Sequence, residues 1–197
     1  MNNVEQRRDD IDNYFQSNDS CRKYFLEPAH EEEFVAHYNS MYLLQDSTES
    51  LWLHRRRGFS SKPLLAYLEF WGAMQAVIIQ QDSISEIYAV MVGTRLDAKA
   101  RGLKAWLEIR ELRNICAGHP AMKDKPKSTG LTRSFMGRSF GSYDEITYER
   151  WQSGKQGQSK GTRSHPRVQL GKLLDRYSIE AERQLANVLA AMKRRWP

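Results

Sequence analysis

From Leu64 to about Val92 the chain has no proline and one glycine, Gly72, in a run otherwise compatible with a helix. A helix of that length is a rod of roughly 45 Å, as long as a whole small domain is wide. The rest of the chain must therefore pack along it. Pro63, after Ser60-Ser61-Lys62, stands where a first helical turn tolerates proline, and Gly93 supplies the stop. Leu64, Leu68, Trp71, Gln75, Ile78 and Asp82 recur in steps of four and three, which predicts the apolar stripe. Two of its members, Gln75 and Asp82, are polar, and a polar group on an apolar face must find a partner or leave the core. Either they bond a neighbouring helix or face a dimer partner, or Asp82 or Glu69 grips an arginine, Arg113, in forked geometry.

The return stroke runs from Leu96 to Ala117, with Leu103, Trp106, Ile109, Leu112 and Cys116 at helical spacing. Two long helices joined by a short turn form a helical hairpin, and the expected fold is all-α, an up-and-down helical bundle built on that hairpin. Gly118 is expected to take a left-handed conformation just past the helix end, with Pro120 preventing resumption. Arg113 lies four residues after Ile109 and three before Cys116, beside the stripe rather than opposite it. That spacing predicts a half-buried arginine at a seam, with His119 just beyond the stop.

Around this hairpin the chain reads as one domain over 1–197. Residues 1–58 supply two helices. Val4, Ile11 and Phe15 mark the first, running to Phe25; Glu31-Glu32-Glu33 opens the second, where the helix dipole favours acidic groups. Phe34, Tyr38, Met41 and Trp52 supply its apolar face, and Arg55-Arg56-Arg57-Gly58 reads as a helix-end device rather than a binding site. The hairpin occupies 63–120. Residues 121–166 form an insertion with nine basic and four acidic residues. In it Arg133–Phe140 and Ile146–Trp151 resemble strands of a small β-hairpin around Gly141–Asp144, and Trp151–Thr162 reads as a flexible loop without the surroundings of a phosphate cradle. A last helix, 167–196, carries Leu170, Leu174, Tyr177, Ala181, Leu185, Val188 and Met192 as one stripe.

Charge is unevenly divided. Residues 1–93 carry 8 Lys/Arg against 14 Asp/Glu, and residues 94–197 carry 22 against 10. A basic second half suits a polyanionic partner such as nucleic acid, and also a self-complementary fold with a solvated basic surface. Two distant cysteines, Cys21 and Cys116, fit neither a zinc spacing nor a disulfide scaffold. With no apolar signal segment and a longest greasy run of Ala76–Ile79, a cytoplasmic location without membrane insertion is expected.

The five histidines, at 30, 37, 54, 119 and 165, are scattered, and neither a nucleophile elbow nor a dinucleotide fingerprint is present. Metal-independent cleavage of RNA stays open. It needs a group that exchanges protons near neutrality, which suits histidine, and a cation on the phosphate, which suits arginine. One Arg and one His make a thin site; a symmetric dimer pairing two makes a fuller one.

Arg113-Asn114-Ile115-Cys116-Ala117-Gly118-His119 resembles the R-x4–6-H signature of the HEPN superfamily, including the polar residue that commonly follows the arginine. Leu68–Asp82 is similar to the helix before that motif in some bacterial HEPN-like proteins. The resemblance covers residues 64–120 and extends to the last helix. It implies a helical bundle, a homodimer with both motifs at the interface, and an endoribonuclease, without metal or cofactor, that leaves a 2′,3′-cyclic phosphate in toxin–antitoxin, defence or RNA-processing systems. It also implies that Arg113 and His119 are catalytic and Asn114 supporting; Asp82, Glu69 and Gln75 join them as supporting candidates from the spacing of the preceding helix, not from the resemblance. The insertion has no counterpart in the family pattern. It reads either as an RNA-contacting flap, with Arg133, Arg138, Arg150 and Lys155 on phosphates and Tyr148 or Trp151 stacking, or as a partner-binding insertion. Two functions therefore stand: a ribonuclease, with a cognate antitoxin or accessory protein as a further partner, and a non-catalytic dimeric module that binds protein or nucleic acid.

Overall fold

The long proline-free run is a single helix from Pro63 to Val92, closed by Gly93 in the left-handed conformation at φ +79°. The computed structural model describes residues 3–118, 132–153 and 161–197. Among these, six helices carry the fold: α1 (Asn3–Ser17), α2 (Asp19–Leu26), α3 (Glu31–Arg57), α4 (Pro63–Val92), α5 (Lys104–Arg113) and α6 (Leu170–Arg195). Between α5 and α6 lie β1 (Thr132–Phe135), β2 (Ile146–Thr147), β3 (Glu149–Gln152), β4 (Thr162–Ser164) and β5 (Arg167–Val168). The chain is thus mostly helical rather than purely α.

α4 packs most extensively against α3 and then α6, so the tightest antiparallel pair is α3–α4 and not α4–α5. This corrects the expected stripe. Ile78 is buried, but Leu64, Leu68 and Trp71 are 66, 62 and 42% exposed, and Gln75 and Asp82 face solvent. The core is filled instead by Phe70, Met74, Val77, Ile84, Ile87 and Met91. α3, α5 and α6 together enclose most of α4's circumference, so period alone could not separate its inner face from an outer strip that is also apolar. The same shift affects α3: Met41 is buried and Phe34 half-buried, but Tyr38 and Trp52 are exposed. Small and polar groups line its inner face, and Gln80 Nε2 donates to Thr48 Oγ1 at 2.7 Å.

The anticipated first helix breaks at Asn18, whose Oδ1 accepts from the Cys21 amide at 2.8 Å and caps α2. The return helix starts at Lys104, later than Leu96. Residues 94–103 form a turn in which Asp97 Oδ1 accepts from the amides of Lys99 and Ala100, both at 2.9 Å. The expected stripes of α5 and α6 are buried throughout.

The insertion contains more sheet than one hairpin. β1 pairs antiparallel with β3, placing Arg133 opposite Trp151, and β3 pairs with β4; β2 and β5 form a second, two-stranded sheet. The Trp151–Thr162 segment is closed at its base by the pairing of Gln152 with Thr162. An aromatic cluster fixes the insertion to the bundle. Phe140 lies 5.3 Å from Phe59 and 5.5 Å from Phe70, and Tyr143 stacks on Phe59 at 4.7 Å.

At the other end of the bundle His37 is 3% exposed, with ring centroids of Phe15 and Phe25 at 4.9 and 6.0 Å. Burial pushes its pKa from 6.5 down to about 4, a drop that nearby Asp12 partly opposes. The unfolded chain takes up this proton near 6.5 and the folded chain only near 4, so between those values the unfolded state binds more protons and stability rises with pH. At about 1.4 kcal/mol per unit, up to roughly 3 kcal/mol is lost as pH falls through that window. Urea melts at pH 7 and 4.5 should show the wild type losing about 2 kcal/mol more than His37→Phe. Parallel losses would refute this.

Candidate functional site

The motif is built where α5 ends. The helix widens into a π-turn, Asn114–Gly118, a form that often marks functional sites. Leu112, Ile115 and Cys116 anchor it in the core, and the Ser134 hydroxyl of β1 bonds the Ile115 carbonyl. This satisfies a carbonyl at a helix end and fastens the insertion to the motif. Gly118 is not a left-handed stop, as expected above, because its φ is not positive. Its role is steric. A Cβ there would lie 2.7 Å from Arg113 Nη1 and 3.3 Å from Cζ, so the missing side chain is the seat of the guanidinium. No glycine pattern distinguishes such a seat from a helix cap, although five residues separate Arg113 and Gly118, as a widened turn requires.

Arg113 is half-buried at the α4–α5 seam. Its Nη2 donates to Gln75 Oε1 at 2.9 Å and its Nη1 to Asn114 Oδ1 at 3.2 Å. Neither partner is a carboxylate, so the arginine keeps its charge uncancelled by either. The anticipated grip by Asp82 or Glu69 does not occur. Asp82 Oδ1 takes Arg110 Nη2 at 2.7 Å, because α5 presents Arg110 at that level of α4 and Arg113 two turns nearer the α4 N-terminus. Glu69 accepts from Arg57 Nη2 and the Ser60 amide, both at 2.6 Å, at the α3–α4 junction. Desolvation there pushes the Glu69 carboxyl up, but Ser60, Arg57 and His54 together hold it below its usual value. Gln81, fully buried, donates to the Trp106 carbonyl at 3.0 Å and accepts from Arg110 at 3.2 Å, pinning α5 on α4. Gln81 and Arg110 are positioning groups that sequence spacing did not single out.

His119 and Lys155 lie outside the described residues. Cys116 is no nucleophile in this setting, since burial pushes its thiol up to about 12. Of the expected phosphate contacts, Arg133 and Arg138 are exposed, and Arg133 lies 5.3 Å above the Trp151 ring. Arg150 is half-buried, its Nε without a hydrogen-bond partner among the described residues. Tyr148 is buried and cannot stack on a base; Trp151 is half-buried.

A cleft of about 640 Å³ between α3 and α4 has His54, Arg57, Gly72 and Ala76 in its walls and reaches Gln75, the residue that holds Arg113. His54 Nδ1 shares a 2.6 Å hydrogen bond with the Tyr143 hydroxyl, and its Nε2 is 3.6 Å from Glu69. Among the described residues there is no group of three or more His, Cys, Asp or Glu arranged to hold a metal, and no helix long and apolar enough to cross a membrane.

Compared with protein-family models, curated proteins and solved structures, the chain matches none. Its function rests on its own residues.

Proposed function

We propose that the chain is a HEPN-like, metal-independent endoribonuclease acting as a homodimer, with Arg113 and His119 as its catalytic pair. The mounting of Arg113 is the observation that carries this reading. A guanidinium set at a seam by Gln75 and Asn114, seated on Gly118 and, among the described residues, paired with no carboxylate, is prepared for an anion. In the reaction the ribose 2′-oxygen attacks the adjacent phosphorus and the bond to the 5′-oxygen breaks. The products are a 2′,3′-cyclic phosphate and a free 5′-hydroxyl. Arg113 stabilises charge on the non-bridging oxygens, while His119 takes the 2′-hydroxyl proton or gives one to the leaving oxygen. Two motifs in a dimer provide one histidine for each step. Exposed Arg133 and Arg138 and half-buried Arg150 supply phosphate contacts.

Gly72 supports the dimer. A glycine inside a helix costs about 1 kcal/mol relative to alanine, and a Cβ here would meet nothing within 4 Å. Packing among the described residues gives no reason for it; close approach of a second chain along the exposed Leu64–Leu68–Trp71 strip does. Gly72→Leu should convert a dimer to a monomer in sedimentation velocity, and an unchanged dimer would remove α4 from the interface. The same strip favours the second reading, a non-catalytic module that binds protein or RNA, with a cognate antitoxin or accessory protein among its partners.

Incubation with mixed RNA in chelator tests the first reading. Fragments with cyclic-phosphate ends, lost in Arg113→Ala and His119→Ala, support it, and RNA bound but never cut selects the second. Gly118→Ala is a finer probe. Its methyl displaces the flexible guanidinium and not the backbone, so cleavage should fall about 10- to 100-fold with the melting temperature kept or slightly raised. A lowered melting temperature with unchanged cleavage would make Gly118 purely structural.

A further inference from the structure

The antiparallel register of β1, β3 and β4 sorts their side chains onto two faces, because residues directly opposite one another share a face and successive residues alternate. Arg133, Trp151 and Arg163 form one row across the sheet. Phe135 and Glu149 form the next row on the same face, extended by His165, 3.6 Å from Glu149. The opposite face carries Arg150, the buried Thr132, and Ser134, whose hydroxyl bonds the Ile115 carbonyl of the motif turn. One face thus rests towards the motif and the other is open to solvent. On the open face Phe135 is 66% exposed, and the side chains of Arg163 and His165 are 67 and 65% exposed.

Neighbours on this face steady its cations. The Arg133 guanidinium lies 5.3 Å from the centre of the Trp151 ring. That ring packs against the backbone of Gly161, where a Cβ would come within 2.6 Å of Cε2. Half-buried Trp151 therefore supports Arg133 across the sheet rather than offering itself as a stacking platform. Glu149 steadies Arg163 through Nε at 3.1 Å. Phe135 differs. It is a large apolar ring left mostly in water, between two exposed arginines, Arg133 two residues before it and Arg138 three after.

We propose that this open face binds single-stranded RNA, with a base stacked on Phe135 and backbone phosphates on Arg133, Arg138 and Arg163. The inference rests on the proposed RNA function, catalytic or not, and concerns the strand beside the scissile bond. Charge favours this occupant: the three strands carry Arg133, Arg150 and Arg163 against Glu149 alone, which attracts a polyanion and repels a second copy of the same surface. Stacking on an aromatic side chain needs an unpaired, splayed base, which a duplex does not offer. The Ser134 bond sets a strand held here beside the turn that mounts Arg113.

Fluorescence anisotropy on the full chain tests this with a short 2′-O-methyl RNA strand, which cannot be cleaved, so binding is read apart from catalysis. The strand should bind saturably, and at least about tenfold more tightly than the same sequence in a duplex. Phe135→Ala should weaken binding about 5- to 100-fold and leave its salt dependence unchanged, and Phe135→Trp should restore it. Arg133→Ala and Arg163→Ala should each lower the slope of log affinity against log salt by about 0.7, the share of one phosphate contact on a single strand. Phe135 also borders the Leu68–Trp71 strip, so sedimentation velocity accompanies each variant. Loss of a dimer together with loss of binding in Phe135→Ala would assign that ring to the subunit interface and overturn the proposal. Unchanged affinity in Phe135→Ala, equal affinity for the duplex, or no saturable binding would overturn it as well. If the wild type cuts no RNA but binds the strand with these losses, the ribonuclease reading fails and the binding face stands.

Discussion

Arg113→Ala is expected to reduce RNA cleavage by about 100- to 1,000-fold, the loss typical when one donor to a developing oxyanion is removed. Stability should change by less than about 1 kcal/mol. The separation follows from the geometry. Gln75 faces solvent and can hydrate once the guanidinium is gone, and Asn114 is only half-buried, so no deeply buried group is stranded. Arg113→Lys should fare little better, because an ammonium is a point charge that cannot span Gln75, Asn114 and a phosphate as a planar fork does. The measurement is single-turnover cleavage with paired thermal melts. Unchanged cleavage in a folded Arg113→Ala would make the arginine a seam-packing residue.

Phe140→Ala is expected to be the most damaging single change outside the main helices, at about 3–5 kcal/mol. Phe140 is 2% exposed and lies in the insertion, yet it packs on Phe59, Phe70 and Tyr67 of the bundle. Truncation opens a cavity where the two parts meet, and rigid aromatic neighbours cannot collapse to fill it. Urea unfolding should remain one cooperative transition at a lower midpoint. If the variant keeps wild-type stability, or the insertion melts separately, the insertion is an appendage and not part of the core. The Ser134 bond to the Ile115 carbonyl adds a second outcome: loosening the insertion should also disturb the motif turn.

How much was legible in the sequence depends on how many sides of an element are covered. α5 and α6 each hide one face, so the positions read from period alone in Leu103–Cys116 and Leu170–Met192 are those the core buries. α4 is covered on three sides, and there the same method selected Leu64, Leu68 and Trp71, the strip left outside. Arg113 was legible as a half-buried residue, because its angular distance from Ile109 and Cys116 is a property of any helix. Its partner was not, because whether Gln75, Asp82 or Glu69 lies across the seam depends on how far α5 slides along α4. The buried Gln81 bridge sets that slide.

By itself, then, the sequence determined the long rod between Pro63 and Gly93, the helical bundle around it, and a cationic residue beside a glycine at the end of the motif helix. These follow from local rules: fixed proline torsions, left-handed glycine, and the period of one apolar face. Only the tertiary structure decided that Gly118 is a seat and not a stop, that Asp82 belongs to Arg110, and that Gln75 holds Arg113. Each of these depends on the distance between groups that share no helix turn, and that distance is set by packing.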